Sequence, residues 1–253
     1  MDKSLFDAGT ADFNLPHDVV SLPTQGVFYK SKKKSVKVGY LTANDENLLI
    51  SASRNPSKDG IVLNLLRNKI YEHDLRPDEL LDGDIEAILI FLRNTSFGPE
   101  YKFSITDPST GKPFDSEILL DELNIKQGTV KPDENGLFTT TLPRSGAQVK
   151  IRPLSFGEVM EIGRLEEQYP VGRTAPTVTW RLNKQIQEVN GDSDRGVISQ
   201  FIDSLPIMDS KHIRKFLKDN VPSLDLTRNI IAPSGEKVTF EITFGVDFFR
   251  PFF

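Results

Sequence analysis

The sequence predicts an α+β chain of two related halves, each made of a β-hairpin, a small helical bundle and a second β-hairpin. Three observations carry that expectation. Short runs of alternating apolar and polar residues flank clusters of turn formers, as hairpins do. Longer stretches place apolar residues at helical spacing behind residues that cap helices. After Lys131-Pro-Asp-Glu-Asn-Gly136, the same order of elements starts again.

The first twenty residues, with isolated Leu5, Phe6, Phe13 and Leu15, have no sustained period and read as an extended arm over 1–21. Two readings are open: a loose terminus, or an arm that docks on a neighbour through Phe6 and Phe13. From Leu22 to Leu41 two extended runs flank a lysine-rich turn and predict a hairpin. Thr42 with Asp45 three residues on resembles a capping box, with Asp in place of Glu, and opens a helix that ends near Asn55-Pro56. A second helix starts at Asp59 or Gly60, and Arg76–Leu81 predicts a short helical turn with proline at its start. The clearest helix is Asp82–Phe97, because Ile85, Ile88, Leu89 and Leu92 fall on one face. Tyr101–Ile105 and Phe114–Leu120, joined by Asp107–Lys112, complete a first unit over 22–130.

Residues 131–136 predict a linker, dense as they are in turn formers. The second unit, 137–246, repeats the order: a hairpin around Pro143–Gly146, a capping box at Ser155-Phe-Gly-Glu158, two helices over Asp194–Leu205 and Asp209–Asp219, and a hairpin around Ala232–Lys237. Leu22-Pro23 corresponds to Leu142-Pro143, Thr42 to Ser155, and Pro108-Ser109 to Pro233-Ser234. Duplication and coincidence of common motifs both account for this. The second unit also carries an insert, 170–191, with a helix placing Val178, Leu182, Ile186 and Val189 on one stripe and Trp180 off it. An off-stripe tryptophan is either partly buried or an interface anchor.

Composition narrows the function. With 38% hydrophobic and 26% charged residues a folded core is expected, and a net charge of -5 gives no general attraction to phosphate. Cysteine is absent, which removes disulfides, thiolate metal sites and cysteine nucleophiles. His17, His73 and His212 lie in separate predicted elements, so no metal site is expected. No apolar run is long enough to span a membrane and no export signal is evident, so synthesis and retention in the cytoplasm are expected. No phosphate loop, dinucleotide fingerprint or nucleophile elbow occurs, and the carboxylates are explained by helix starts and solvated faces. Neither an enzyme nor a cofactor or small-molecule substrate is expected.

That leaves interaction surfaces. Lys32, Lys33 and Lys34 sit at the centre of a basic hairpin tip spanning 30–37. It is either a solvated loop guarding a strand edge or a contact for an acidic partner; nucleic acid is not expected, since few aromatics interleave the lysines. The tail over 247–253 holds Phe248, Phe249, Phe252 and Phe253 around Arg250-Pro251, too many exposed rings for a soluble surface. They belong either to the core or to an interface with another subunit.

Three stretches carry a resemblance: LPTQGVFYKSKKKSVKVGYLTANDENLLISAS from Leu22, DGIVLNLLRNKI from Asp59, and DGDIEAILIFLRNTSFGPEYKFSITDPSTGK from Asp82. The motifs are Leu22-Pro-x-x-Gly26, Leu41-Thr-x-x-Asp-Glu46, Leu92-Arg-Asn94 and Phe97-Gly-x-x-Tyr101. Together they resemble the baseplate hub subunit and hub-assembly proteins of T-even-like contractile-tailed bacteriophages, over roughly Leu22–Leu123 with a weaker echo beyond. The resemblance implies a virion structural protein of the tail baseplate, made in the host cytoplasm, whose partners are other baseplate or tail-hub proteins. It equally implies a transient hub-assembly factor, and it transfers no catalytic residue. The insert and the aromatic tail lie outside the resembling pattern.

Overall fold

The computed structural model describes residues 16–54 and 58–249. Strand β1 (His17–Ser21) pairs antiparallel with β2 (Ser35–Gly39), His17 opposite Gly39 and Ser21 opposite Ser35. The first strand therefore begins inside the stretch read as an arm, and the run from Leu22 to Lys30 expected as a strand is a folded loop. The cause is local: Gln25 and Gly26 take positive φ (51° and 72°), and the loop closes through Leu22 N donating to Lys34 O at 2.8 Å. A Cβ on Gly26 would overlap the Lys33 carbonyl, so a side chain is excluded there twice over.

Helix α1 (Ala43–Arg54) starts where Thr42 N and Oγ1 both donate to Asp45 Oδ2, at 2.7 and 2.6 Å. The same carboxylate pairs with the buried Lys69 of α2 (Lys58–Lys69) at 2.5 Å, which ties the two helices together. The turn expected at Arg76–Leu81 is a single 3-10 turn, Pro77–Glu79. Helix α3 (Asp82–Phe97) buries Ile85, Ile88, Leu89 and Leu92, as its spacing predicts. The hairpin of β3 (Glu100–Thr106) and β4 (Pro113–Leu119) follows, and then the short β5 (Ile125–Lys126). Residues 131–136 form a turn in which Asp133 Oδ1 accepts from Asn135 N and Leu137 N at 2.9 and 2.8 Å.

The next hairpin joins β6 (Phe138–Thr141) to β7 (Gln148–Ile151). The Ser155 capping box opens α4 (Phe156–Glu167): Ser155 N donates to Glu158 Oε2 at 3.0 Å, and Ser155 Oγ accepts from Glu158 N. Helix α5 (Thr177–Gln185) is shorter than the insert's apolar stripe predicts, because Ile186–Val189 leaves the helix and becomes β8 on the free side of β7. A bulge at Lys150–Ile151 lets Ile186 and Val189, three apart, both point inward, so a helical spacing is read by a strand. Helices α6 (Arg195–Asp203) and α7 (Ile207–Asn220) match expectation. The strand expected over Leu224–Ile231 is broken into β9 (Ser223–Leu224), which pairs with β5, and β10 (Thr227–Ile231), which pairs with β11 (Lys237–Glu241).

The result is a mixed α/β chain with seven α-helices and five small antiparallel sheets among the described residues, only one of which has three strands. Two hydrophobic cores form. One gathers Leu22, Val36, Val38, Leu66, Ile88 and Leu92 with Ile242, Phe248 and Phe249; the other gathers Phe138, Val149, Ile151, Ile186, Ile198 and Ile213. The final segment thus packs on the first core, although it follows the second in sequence. Phe28 and Val221 touch both cores and form the seam.

Candidate protein–protein interface

β3 and β4 pair over seven positions, Glu100–Leu119 to Thr106–Pro113, and exposure alternates strictly along both strands. One face holds Tyr101, Phe103, Ile105, Phe114 and Ile118, half-buried; the other holds Lys102, Ser104, Asp115 and Glu117, in water. β10 and β11 alternate likewise, with Ile230, Val238 and Phe240 half-buried and Asn229, Thr239 and Ile231 outward. The half-buried faces meet: the Phe103 and Phe240 rings stack at 3.8 Å with planes 4° apart. Each sheet has two strands, so all four strands are edges. A two-stranded ribbon is marginal alone in water, and here each ribbon supplies the other's apolar cover.

The tips are latched. Asp107 Oδ1 accepts from Ser109 N and Ser234 Oγ, both at 2.9 Å, while Oδ2 accepts from Ser234 N at 3.1 Å. Burial pushes the Asp107 carboxyl up, but hydrogen bonds from Ser234, Ser109 and Thr110 more than offset it and hold it below the ordinary aspartate value. A depressed folded value means that the latch contributes fully above the unfolded value and is lost as pH falls through the folded one. We expect amide exchange at both turns to be slow at neutral pH and to quicken in acid relative to the helices. In Asp107→Ala both turns should exchange fast at every pH.

The C-terminal segment lies inside. Phe248 is 1% exposed, 4.8 Å from the Phe244 ring and 5.4 Å from Tyr101. Arg93 of α3, 2% exposed, donates from Nε to Phe248 O (3.1 Å) and from its two terminal nitrogens to Gly98 O (2.7 Å) and Glu100 O (2.9 Å). Its guanidinium also lies over the Tyr101 ring at 5.2 Å. Of the two readings open for the tail, the structure gives Phe248 and Phe249 the core one: the first core offers them an apolar slot and a donor for their backbone. Arg250, Phe252 and Phe253, like Phe6 and Phe13, lie outside the described residues.

The basic tip is partly consumed by the fold. Lys32 Nζ donates to Val27 O and Glu134 O at 3.0 and 2.6 Å, and Lys33 pairs with Glu72 and with Asp74, the latter at 2.8 Å. Lys34 is exposed, with Lys30 and Lys37 beside it. Trp180 is half-buried, edge-on to Tyr169 at 5.8 Å. His212 faces the Thr140 hydroxyl at 3.1 Å, and among the described residues no group of three or more His, Asp or Glu is placed to hold a metal. No helix among them is long and apolar enough to cross a membrane.

The family model described as T4 bacteriophage base plate protein matches residues 24–250. The chain belongs to that family. Comparison with curated proteins found no match, and comparison with solved structures found none. This base plate protein is accordingly a structural protein of the phage tail baseplate, and its family implies other baseplate proteins as partners and a non-enzymatic role. Its locking residues escaped sequence reasoning to different degrees. Arg93 follows Leu89 by four and Ile85 by eight, so helical spacing alone placed it on the buried face of α3. Nothing local signalled that Asp107 would meet Ser234, 127 positions away.

Proposed function

We propose that this base plate protein is a structural component of the baseplate hub, held there by the outward faces and open edges of its latched hairpins. The observation that carries the reading is the pair of two-stranded ribbons, latched at their tips, stacked on each other through Phe103 and Phe240 and left with open strand edges. Open strand edges are hazards that soluble proteins blunt, and in an assembly they are ready positions for a neighbour's backbone. β10 is the least protected: its outward residues, Thr227, Asn229 and Ile231, carry no charge, and Ile231 is 66% exposed. The resemblance of Leu22–Leu123 to hub proteins supports the placement. On this reading Lys34, Trp180 and the terminal residues Phe6, Phe13, Arg250, Phe252 and Phe253 add contacts around the hairpins.

We further read the chain as a duplicated unit, 22–130 and 137–246, whose two Pro-Ser turns now meet tip to tip. The meeting of equivalent hairpins supports it, although the last hairpin packs on the first core. Mass spectrometry of purified virions, combined with cross-linking from Lys112 and Lys237 at the hairpin tips, tests the placement. The expected result is this chain in the mature tail, cross-linked to a hub protein. Its absence from virions, with hub defects when it is deleted, would instead identify a transient assembly factor.

A further inference from the structure

A cleft of about 240 Å³ opens between the start of α3 and the ends of α5 and α7. Its lining mixes apolar residues, Leu81, Leu154 and Leu217 among them, with polar groups that include Asp82, Glu86 and Gln185. Gln185 is 8% exposed, and its Oε1 is buried with no hydrogen-bond partner among the described residues. An acceptor out of water and unpaired is costly and calls for a donor. Glu86 makes no hydrogen bond or ion pair with any described residue. Burial, then the charges of Asp82, Glu241 and Asp84, push its carboxyl up to about 7. The cations lining the cleft are Arg181 and Lys218; Arg181 favours ionised Asp82 from beyond ion-pair distance.

We infer that this cleft receives an arginine side chain from a neighbouring baseplate subunit. Arg181 already faces Asp82, which leaves Glu86 as the carboxyl without a partner, while the buried amide oxygen of Gln185 needs a hydrogen rather than a bare charge. A guanidinium presents five N–H donors in a planar fork, enough for a bidentate contact with Glu86 and a further bond to Gln185, and its aliphatic stem suits the leucine walls. The space is many times the roughly 10–15 Å³ that a single water needs, ample for such a side chain. The inference rests on the chain being a base plate protein with subunit neighbours and not on its place in the hub.

The test titrates N-acetyl-argininamide into the full chain, following the Glu86 carboxyl carbon and the Gln185 side-chain amide by NMR. Because the guanidinium binds ionised Glu86, we expect saturable shifts at both groups and affinity about tenfold higher at pH 8 than at pH 5.5. Glu86→Gln, which keeps the volume, should weaken binding and remove the pH dependence, and N-acetyl-citrullinamide should not bind. Shifts that sodium chloride or the citrulline compound reproduces, or no saturable shift, would overturn the inference. So would a rise of the Glu86 midpoint in Arg181→Gln that N-acetyl-argininamide fails to reverse, since the chain's own arginine would then fill the role. The measurement uses isolated protein, so failure of the hub placement in virions leaves it standing.

Discussion

A chain ending at Gly245 is expected to lose on the order of 6 kcal/mol of stability, a large share of the roughly 5–15 kcal/mol that holds a folded protein together. The truncation removes two buried phenylalanines, and emptying such a site costs about 3–5 kcal/mol each when the surroundings cannot collapse. Phe248 sits between Phe244, Tyr101 and Phe249, with ring centroids 4.8 to 5.4 Å away, so its loss leaves a hole lined by rigid rings. It also removes the Phe248 carbonyl from Arg93, whose guanidinium then stays buried with one donor unpaired. Arg93→Leu should cost about 3 kcal/mol on its own, since it strands the carbonyls of Gly98, Glu100 and Phe248 in an apolar site. Urea denaturation read by near-ultraviolet circular dichroism measures both effects. A truncated chain with unchanged midpoint and impaired partner binding would return these rings to an interface role.

The second large effect is expected at Asp84, which is fully buried at the start of α3. Its carboxylate accepts from Thr24 N at 2.9 Å, from Thr24 Oγ1 at 2.5 Å and from the Tyr29 hydroxyl, whose oxygen in turn accepts from Leu81 N at 3.0 Å. This network holds the loop between β1 and β2 against the main helix. Asp84→Ala would leave three buried donors without an acceptor, at a cost of about 3–5 kcal/mol. Tyr29→Phe, which removes one donor together with one bond, should cost less than about 2 kcal/mol. Equal losses in the two variants, measured by chemical denaturation, would mean that the network is not the source of the stability.

Much of the architecture was legible because it depends on short-range rules. The Ser155 and Thr42 caps, the apolar face of α3 and the Pro-Ser turns are each settled within about ten residues by hydrogen-bond geometry and spacing, and the structure places them where those rules do. Only the first strand of the first hairpin differs from expectation, lying at His17–Ser21 instead of within 22–30, since the left-handed Gln25 is not forced by its own chemistry. Ile186–Val189 was misread because a spacing of three serves a helix as well as a bulged strand.

The interaction surface was legible only as a set of candidates. Two lysines of the basic tip are tied to the fold because Glu72, Asp74 and the Glu134 carbonyl come to meet them from distant sequence. The composition of the tail showed that its rings could not all be exposed, yet not where they go. Most of the elements, the absence of the usual catalytic motifs and the resemblance to baseplate proteins are legible in the sequence alone. Only the tertiary structure decided that the last hairpin returns to the first, that Arg93 clasps the tail, and that Asp107 latches the two tips. Those outcomes depend on contacts between residues up to 127 positions apart, and a local pattern specifies that a group needs a partner without specifying which one folding brings to it.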